Sequence, residues 1–374
     1  MLREAYRAVL AELEKVPQRM EREKTRLAEA AAIHRKRPLW RTVTWTAQQQ
    51  AEFDGYWKAA WGRRISSRWH RLYQAINGVF RPDYFPEALY STVVAPALND
   101  WRYARTLEDK SLIEPLFADS GVTIPETICL CSGGVLFDGQ RRPVTRERAG
   151  ELVCRGEEAV FKPTVGSSSG RGVQFFQDGR EAWKAVELAM SQGQRDFILQ
   201  RRIVSHSDWA RFHPRSVNTL RVTTFLAEGR IAFGPVAFRI GQGEREVDNS
   251  HAGGIGVGVR EDGTLMDTGY ELGWGDKVIR YQRHPDSGIP FAGAVLPGVP
   301  AVLEAAVQLH GRLSHIGVAS WDFTADSAGR PVLIELNLRG QGVWFPQIVC
   351  GEGLFGAHTE TVLRQVRANR RGRR

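Results

Sequence analysis

The sequence predicts a mixed α+β protein built in several pieces behind a helical N-terminal extension. Three observations carry that reading. Residues 1 to about 36 repeat apolar side chains at helical spacing. After about residue 105, short apolar runs of strand type alternate with helical patterns, and strands dominate from Leu220 to Ile240. Late in the chain, two apolar runs flank Asp326-Ser327-Ala328-Gly329-Arg330-Pro331, a turn by composition, so the pair reads as a β-hairpin. A chain of 374 residues holds about two or three domains and can bury substantial cores.

Taken in order, Leu2, Tyr6, Val9, Leu10, Leu13 and Val16 share one face of the first helix, with Lys and Arg crowding the other. That face suits packing on the body of the protein or on a second copy, so a homodimer is a reasonable state. Residues 37 to about 100 are rich in Trp, Tyr and Phe and read as short helices punctuated by Pro82, Pro86 and Pro96. His70 reads there as a structural histidine. Leu107 to Leu112 looks helical, Thr127 to Leu130 and Ala159 to Lys162 look like strands, Arg180 to Met190 like a helix, and Phe197 to Gln200 like a strand. A helix from Ala301 to His315 precedes the hairpin. There is no internal repeat.

The net charge of +9 misleads as a guide to partners. Residues 364–374 hold six arginines and no acid, and without them the body is only +3. The basic signal therefore reads as a frayed, solubilising tail. Aromatic side chains do not interleave with it, so nucleic-acid stacking has no support. No apolar run approaches the ~20 residues of a membrane span. Four cysteines, Cys129, Cys131, Cys154 and Cys350, give neither a disulfide framework nor metal spacing. The N-terminus lacks the apolar core of a signal peptide, and a cytoplasmic location is expected.

The chemistry concentrates in a few segments. Asp322 lies on one strand of the hairpin, and Glu335 and Asn337, two apart on the other, share a face. Two carboxylates and an amide oxygen suit a hard cation such as Mg2+, which keeps water and takes further ligands from phosphates. A solvated hairpin face is the plain alternative, but Val332, Leu333, Ile334 and Leu336 bury the strand, and buried acids need a partner. Lys162 ends a strand and is followed by Gly166-Ser167-Ser168-Ser169-Gly170-Arg171-Gly172, which suits close backbone approach to phosphate. The loop is neither a Walker A motif nor a dinucleotide fingerprint. Arg221 shares a face with Thr219 and Thr223 on a buried strand, where an inward arginine needs an anion; an internal acid would serve as well. Asp248-Asn249-Ser250-His251 before Gly253-Gly254 suits ligand contact, or an ordinary tight turn.

Together these residues resemble the ATP-grasp superfamily from about residue 40 to 360, and within it the sugar-transfer-associated proteins related to α-L-glutamate ligase-like enzymes. The resemblance rests on Asp109-Lys110, Phe161-Lys162-Pro163 with the Ser/Gly loop, His213-Pro214-Arg215-Ser216-Val217-Asn218-Thr219-Leu220-Arg221, Asp248-Asn249, Trp321-Asp322 and Ile334-Glu335-Leu336-Asn337. The aromatic segment Trp69-His70-Arg71-Leu72-Tyr73 adds to it. It implies two α+β subdomains clamping ATP: residues 101–203 with a mobile lid, and residues 204–362 with the metal site, between a helical region 1–100 and a basic tail 363–374. It further implies Lys110 and Lys162 as ATP lysines, Ser167, Ser168, Ser169, Gly170 and Gly172 over the phosphates, Gln200 beside adenine (a place often held by Glu), and Asp208 as the ribose acid. Arg221 would face the transferred phosphate, Lys162 would share in catalysis, and Asp322, Glu335 and Asn337 would hold Mg2+. Arg215, Asn218, Asp248, Asn249, His251 and Arg339 are the expected substrate-side residues.

The implied activity is ligation of a small-molecule carboxylate to an amine through an acyl phosphate, on an amino acid, a peptide or a uronic-acid sugar. A small-molecule kinase on the same fold, with Asp248 as its acid, is the first alternative. A nucleotide-binding scaffold without turnover in polysaccharide assembly is the second, disfavoured because all three metal positions stand.

Overall fold

The computed structural model describes residues 2–166, 170–248, 253–272 and 278–372. A long helix, α1 (Leu2–Arg35), opens the chain, with Pro17 inside it. Short helices follow: α2 (Arg37–Trp40), α3 (Ala47–Trp61), α4 (Arg68–Asn77), α5 (Glu87–Leu89), a π-helical turn at Tyr90–Val94, and α6 (Ala95–Leu98). Prolines set the breaks as expected: Pro86 caps α5 and Pro96 opens α6. Trp57, Tyr73, Tyr84 and Phe85 are fully buried here. His70 is buried among them and accepts from Trp57 Nε1 at 3.2 Å. Burial pushes its imidazole down to about 3, so it stays neutral.

The segment expected as one helix near Leu107–Leu112 is two, α7 (Trp101–Leu107) and α8 (Lys110–Phe117). Asp109 breaks it because its carboxylate caps α8, accepting from Ser111 N at 2.9 Å. A five-stranded antiparallel sheet then forms from β1 (Thr127–Ser132), β2 (Val135–Asp138), β3 (Ala159–Pro163), β4 (Gln174–Phe176) and β5 (Phe197–Arg201), in the order β2-β1-β5-β3-β4. Helices α9 (Arg146–Cys154) and α10 (Gly179–Ser191) cover one face, over Cys129, Phe161, Phe197 and Leu199. Alternation leaves Lys162 and Gln200 on the other face.

After α11 (Ser207–Ala210), a second antiparallel sheet runs β11-β10-β9-β8-β6-β12-β13, with β7 also paired to β6. Its strands are β6 (Thr219–Ala227), β7 (Arg230–Phe233), β8 (Val236–Ile240), β9 (Ile255–Val259), β10 (Leu265–Glu271), β11 (Ile279–Tyr281), β12 (Val318–Ala325) and β13 (Pro331–Asn337). Helix α12 (Val299–His310) packs over Val222, Trp321 and Phe323 in the largest core; it ends at His310, five residues before the expected His315. Helices α13 (Trp344–Cys350) and α14 (Thr359–Gly372) close the chain. The expected frayed tail is corrected here. Val362, Leu363 and Val366 of α14 are buried in the aromatic helical core, and this packing carries the arginines through residue 372 as helix.

Candidate active site

Strand register builds the centre of the site. Asp322 on β12 pairs with Arg221 on β6 and with Glu335 on β13, so the three stand in a row across the sheet. A bulge follows at once, since Phe323 pairs with Leu333. Alternation sends Leu220, Val222, Phe238, Trp321 and Phe323 into the core beneath α12. Arg221, Arg239, Asp322, Glu335 and Asn337 are left on the opposite face.

Asp322 is buried within an arginine pair. Arg221 Nε donates to Oδ1 at 2.5 Å and its second terminal nitrogen to Oδ2 at 2.8 Å, while Arg239 donates to Oδ2 at 3.1 Å. Burial alone would raise the Asp322 carboxyl; the two guanidiniums outweigh it and hold it below the usual carboxylate range. Arg239 continues to Asp248 Oδ1 at 3.2 Å. Asp248 Oδ2 accepts from the Thr219 N–H at 3.0 Å and from the Thr219 hydroxyl. Burial pushes the Asp248 carboxyl above its ordinary range, offset in part by Arg239 and Thr219. Arg221 also donates to the Gln341 carbonyl at 2.9 Å. Its guanidinium, expected to face a phosphate, is thus committed to Asp322 and Gln341. Arg239 was missed in the sequence, although an arginine inside Val236-Ala237-Phe238-Arg239-Ile240 carries the same signal as Arg221.

The lysines arrive from the other side. Lys110 opens α8, its N–H donates to the Thr164 carbonyl at 3.0 Å, and its Nζ lies 2.7 Å from Glu335 Oε1. Lys162 Nζ donates to Gln200 Oε1 at 3.1 Å, and Gln200 Nε2 donates to the Pro125 carbonyl at 3.1 Å. Burial, then the nearby Lys110, push the Lys162 amine down to about 8, against the pull of Glu335. Among the described residues Lys162 forms no ion pair. In the following loop Gly170 and Gly172 both have φ of 74°. A Cβ on Gly172 would stand 2.9 Å from Pro163 Cγ, so the loop folds back on the end of β3 only with glycine there. Ser167, Ser168, Ser169, Asn249 and His251 lie outside the described residues.

The remaining predicted residues are dispersed. Asp208 is half-exposed on α11, 3.6 Å from Arg211 and 3.8 Å from His206. Arg215 is exposed and pairs with Glu244. Asn218 is corrected: it is fully buried, it donates to the Trp209 and His213 carbonyls at 2.9 and 3.1 Å, and it accepts from Ser216 and Gly241. It holds the approach to β6 and presents no polar atom to a ligand. Asp248 is likewise spent within the protein. Arg339 pairs with Glu108 at 2.6 Å, and Glu108 also accepts from the Leu338 and Arg339 N–H groups, clamping the exit of β13 beside α8. Glu108 carried no sequence signal beyond its place before Asp109-Lys110.

Behind that exit lies a cavity of about 840 Å³ between α1, the π-helical turn and the loop holding Arg339, Gly340 and Gly342. Tyr90 on its wall donates to Gln341 Oε1 at 2.5 Å. The backbone carbonyl of Gln341 accepts from Arg221, so this one residue joins the cavity wall to the Asp322 centre.

Residues 90–363 match the family model of the sugar-transfer associated ATP-grasp proteins. The chain belongs to that family. The match begins at residue 90, so α1 to α5 lie outside it, whereas the sequence resemblance starts near residue 40. No curated protein sequence matches the chain. Among solved structures it is similar to an L-amino acid ligase from Bacillus licheniformis, at 13% identity over 69% of this chain and 48% of that one, with a TM-score of 0.38. It is also similar to VanG D-Ala:D-Ser ligase from Enterococcus faecalis, at 15% identity over 74% of this chain and 63% of that one (TM-score 0.41). For the D-alanine-D-alanine ligase from Coxiella burnetii the figures are 12%, 74%, 62% and 0.42. The chain thus spans about half to under two thirds of these enzymes, and likeness at this level carries no inference about activity.

Proposed function

We propose that the protein is an ATP-dependent carboxylate–amine ligase. The observation that carries this reading is the meeting of Lys110 and Lys162 near Glu335, with Lys162 half-buried and forming no ion pair among the described residues. A half-buried cation without counter-charge is costly, and a phosphate group supplies the charge it lacks. The oxygen donors fit Mg2+ as well. Glu335 Oε2 and the Asn337 side-chain oxygen accept no hydrogen bond from described residues, and Asp322 Oδ1 accepts one. These are the hard, oxygen-only ligands that Mg2+ takes alongside phosphates.

In this reading Asp322, Glu335 and Asn337 hold Mg2+, which supplies charge neutralisation to the phosphates when bound. Lys110 and Lys162 orient the phosphates, and the loop of Ser167, Ser168, Ser169, Gly170 and Gly172 covers them. Gln200 stands beside adenine, and Asp208 is the ribose acid. Residues 101–203 form the lid-bearing half and residues 204–362 the metal-bearing half. Arg221 and Arg239 act through Asp322, keeping it ionised and fixed. The substrate carboxylate attacks the γ-phosphorus and ADP leaves, giving an acyl phosphate. The amine then attacks the acyl carbon, loses a proton and expels phosphate. Water must be kept from the acyl phosphate between these steps. The cavity bordered by Arg339 is the place for the substrates, and Arg215 and His251 are further substrate-side residues. Asp248 has both oxygens engaged, which weighs against its use as a kinase acid and favours ligation.

The test is ATP turnover with Mg2+ over a pool of carboxylic acids, with hydroxylamine as the trapping amine. ADP, phosphate and a hydroxamate are expected, all lost in Glu335→Ala. A phosphorylated alcohol with no hydroxamate would replace the ligase with a kinase.

A further inference from the structure

The first helix is turned inside out. Lys15, Gln18, Arg22, Thr25 and Glu29 line the cavity against the body. Tyr6, Leu13, Val16, Met20 and Leu27 are exposed, and at ~100° per residue they centre about 180° away from the polar set. Five of the thirteen large exposed apolar side chains among the described residues therefore lie on one face of one helix. An amphipathic helix packed only on its own domain would turn that face inward.

The spacing names the missing neighbour. Tyr6, Leu13, Met20 and Leu27 recur every seven residues, and Leu2, Val9 and Val16 recur at the same interval between them. Only Glu23 interrupts the combined series from residue 2 to 27. A 3.5-residue repeat held this long is the seam of a coiled coil, narrower than the apolar arc of a membrane-surface helix. Pro17 falls off the seam. Burying side chains of this size removes roughly 60–120 Å² each. The five exposed ones supply roughly half of the ~800 Å² per partner of a specific interface.

Charge and shape choose the orientation. In a parallel pair Arg19 would flank the partner's Lys24, a like-charge contact. In an antiparallel pair centred between residues 14 and 15, Glu12 and Arg19, which pair at 2.7 Å within each helix, meet the partner's Arg19 and the partner's Glu12 along one flank, and the whole seam overlaps. The bodies then lie on the outer sides of the pair, because the face of α1 opposite the seam lines the cavity against its own body. We propose that two copies of the chain associate through an antiparallel coiled coil of their first helices. The surface is independent of the ligase reading.

Sedimentation velocity of the full chain tests it. The wild type should be a dimer. Leu13→Glu/Met20→Glu should be a monomer with unchanged helicity and unchanged thermal unfolding of the body, and Met20→Lys/Leu27→Lys should repeat the result. A wild type that is monomeric at its highest soluble concentration would overturn the proposal, as would a dimer that survives both double substitutions. A monomer recruited to anionic vesicles would overturn it in favour of a membrane face. Spin labels at Ala28→Cys in a Cys154→Ser background should lie about 40 Å apart. A separation near 10–15 Å, as roughly set by the width of two adjacent helices, would contradict the antiparallel arrangement.

Discussion

The two sheets both turn a polar face toward the site, and they treat charge differently. On the large sheet, Arg221, Arg239, Asp322 and Asp248 form a closed chain in which two cations balance two acids. On the small-sheet side, among the described residues, Lys110 and Lys162 face one carboxylate, that of Glu335, and the Lys162 amine donates to an amide oxygen. The closed chain balances its own charge and fixes the strands that carry the proposed metal ligands. The open one is left with an excess positive charge, and in the proposed reading the phosphates of a nucleotide complete it. A buried charge therefore reads as scaffold or as binding site according to whether the protein itself supplies the counter-charge.

The sharpest way to break this contrast is to remove one charge from each group. Arg239→Met leaves Asp322 and Asp248 short of a partner in a buried setting. It should cost about 3–5 kcal/mol of stability, read by denaturant unfolding. Lys162→Met removes a desolvated cation with no counter-charge, so stability should hold or rise, while turnover falls on the order of 10²–10³-fold. Equal destabilisation by the two substitutions would erase the distinction.

Asn218→Ala sharpens the same point with a neutral group. It leaves buried carbonyls and a hydroxyl unsatisfied and should cost about 1–3 kcal/mol. The Michaelis constants of the surviving folded enzyme should stay as they were, since no polar atom of Asn218 reaches a ligand.

The smallest effect is one of pH. The Lys162 amine is held at about 8, below its ordinary 10.5, so between those values the unfolded chain binds more protons than the folded one. Stability of the free protein should accordingly rise through that window. Nucleotide phosphates favour the charged amine, so nucleotide affinity should be level below about pH 8 and decline above it. Calorimetric titrations across pH 7 to 10 would show it, and an affinity flat over that range would remove Lys162 from the phosphate site.

Much of this was legible in the sequence because periodicity is local. The hairpin of β12 and β13, the strand carrying Lys162 and the first helix follow from spacing along the chain, and the family from motifs that resemble it. Pairing across strands is not local, and the misreadings cluster there. The anion expected beside Arg221 is Asp322 itself, 101 residues along the chain, and Arg239 completes the pair from a strand with no motif. Asn218 sits in a motif-bearing segment, yet its amide is consumed by the turn it stabilises. The basic end looked frayed by composition, whereas Val362, Leu363 and Val366 hold it as helix. For α1 the periodicity was plain, but only the folded body shows which face was left outside.

The most direct measurement is a structure of the protein with Mg2+ and a non-hydrolysable ATP analogue. The account predicts phosphate oxygens within hydrogen-bond distance of Lys162 Nζ, Lys110 drawn from Glu335 to phosphate, and Mg2+ on Asp322, Glu335 and Asn337, with Arg221 and Arg239 still holding Asp322. An analogue bound elsewhere, or Lys162 left without an anion while the arginine chain opens to take the phosphates, would contradict it.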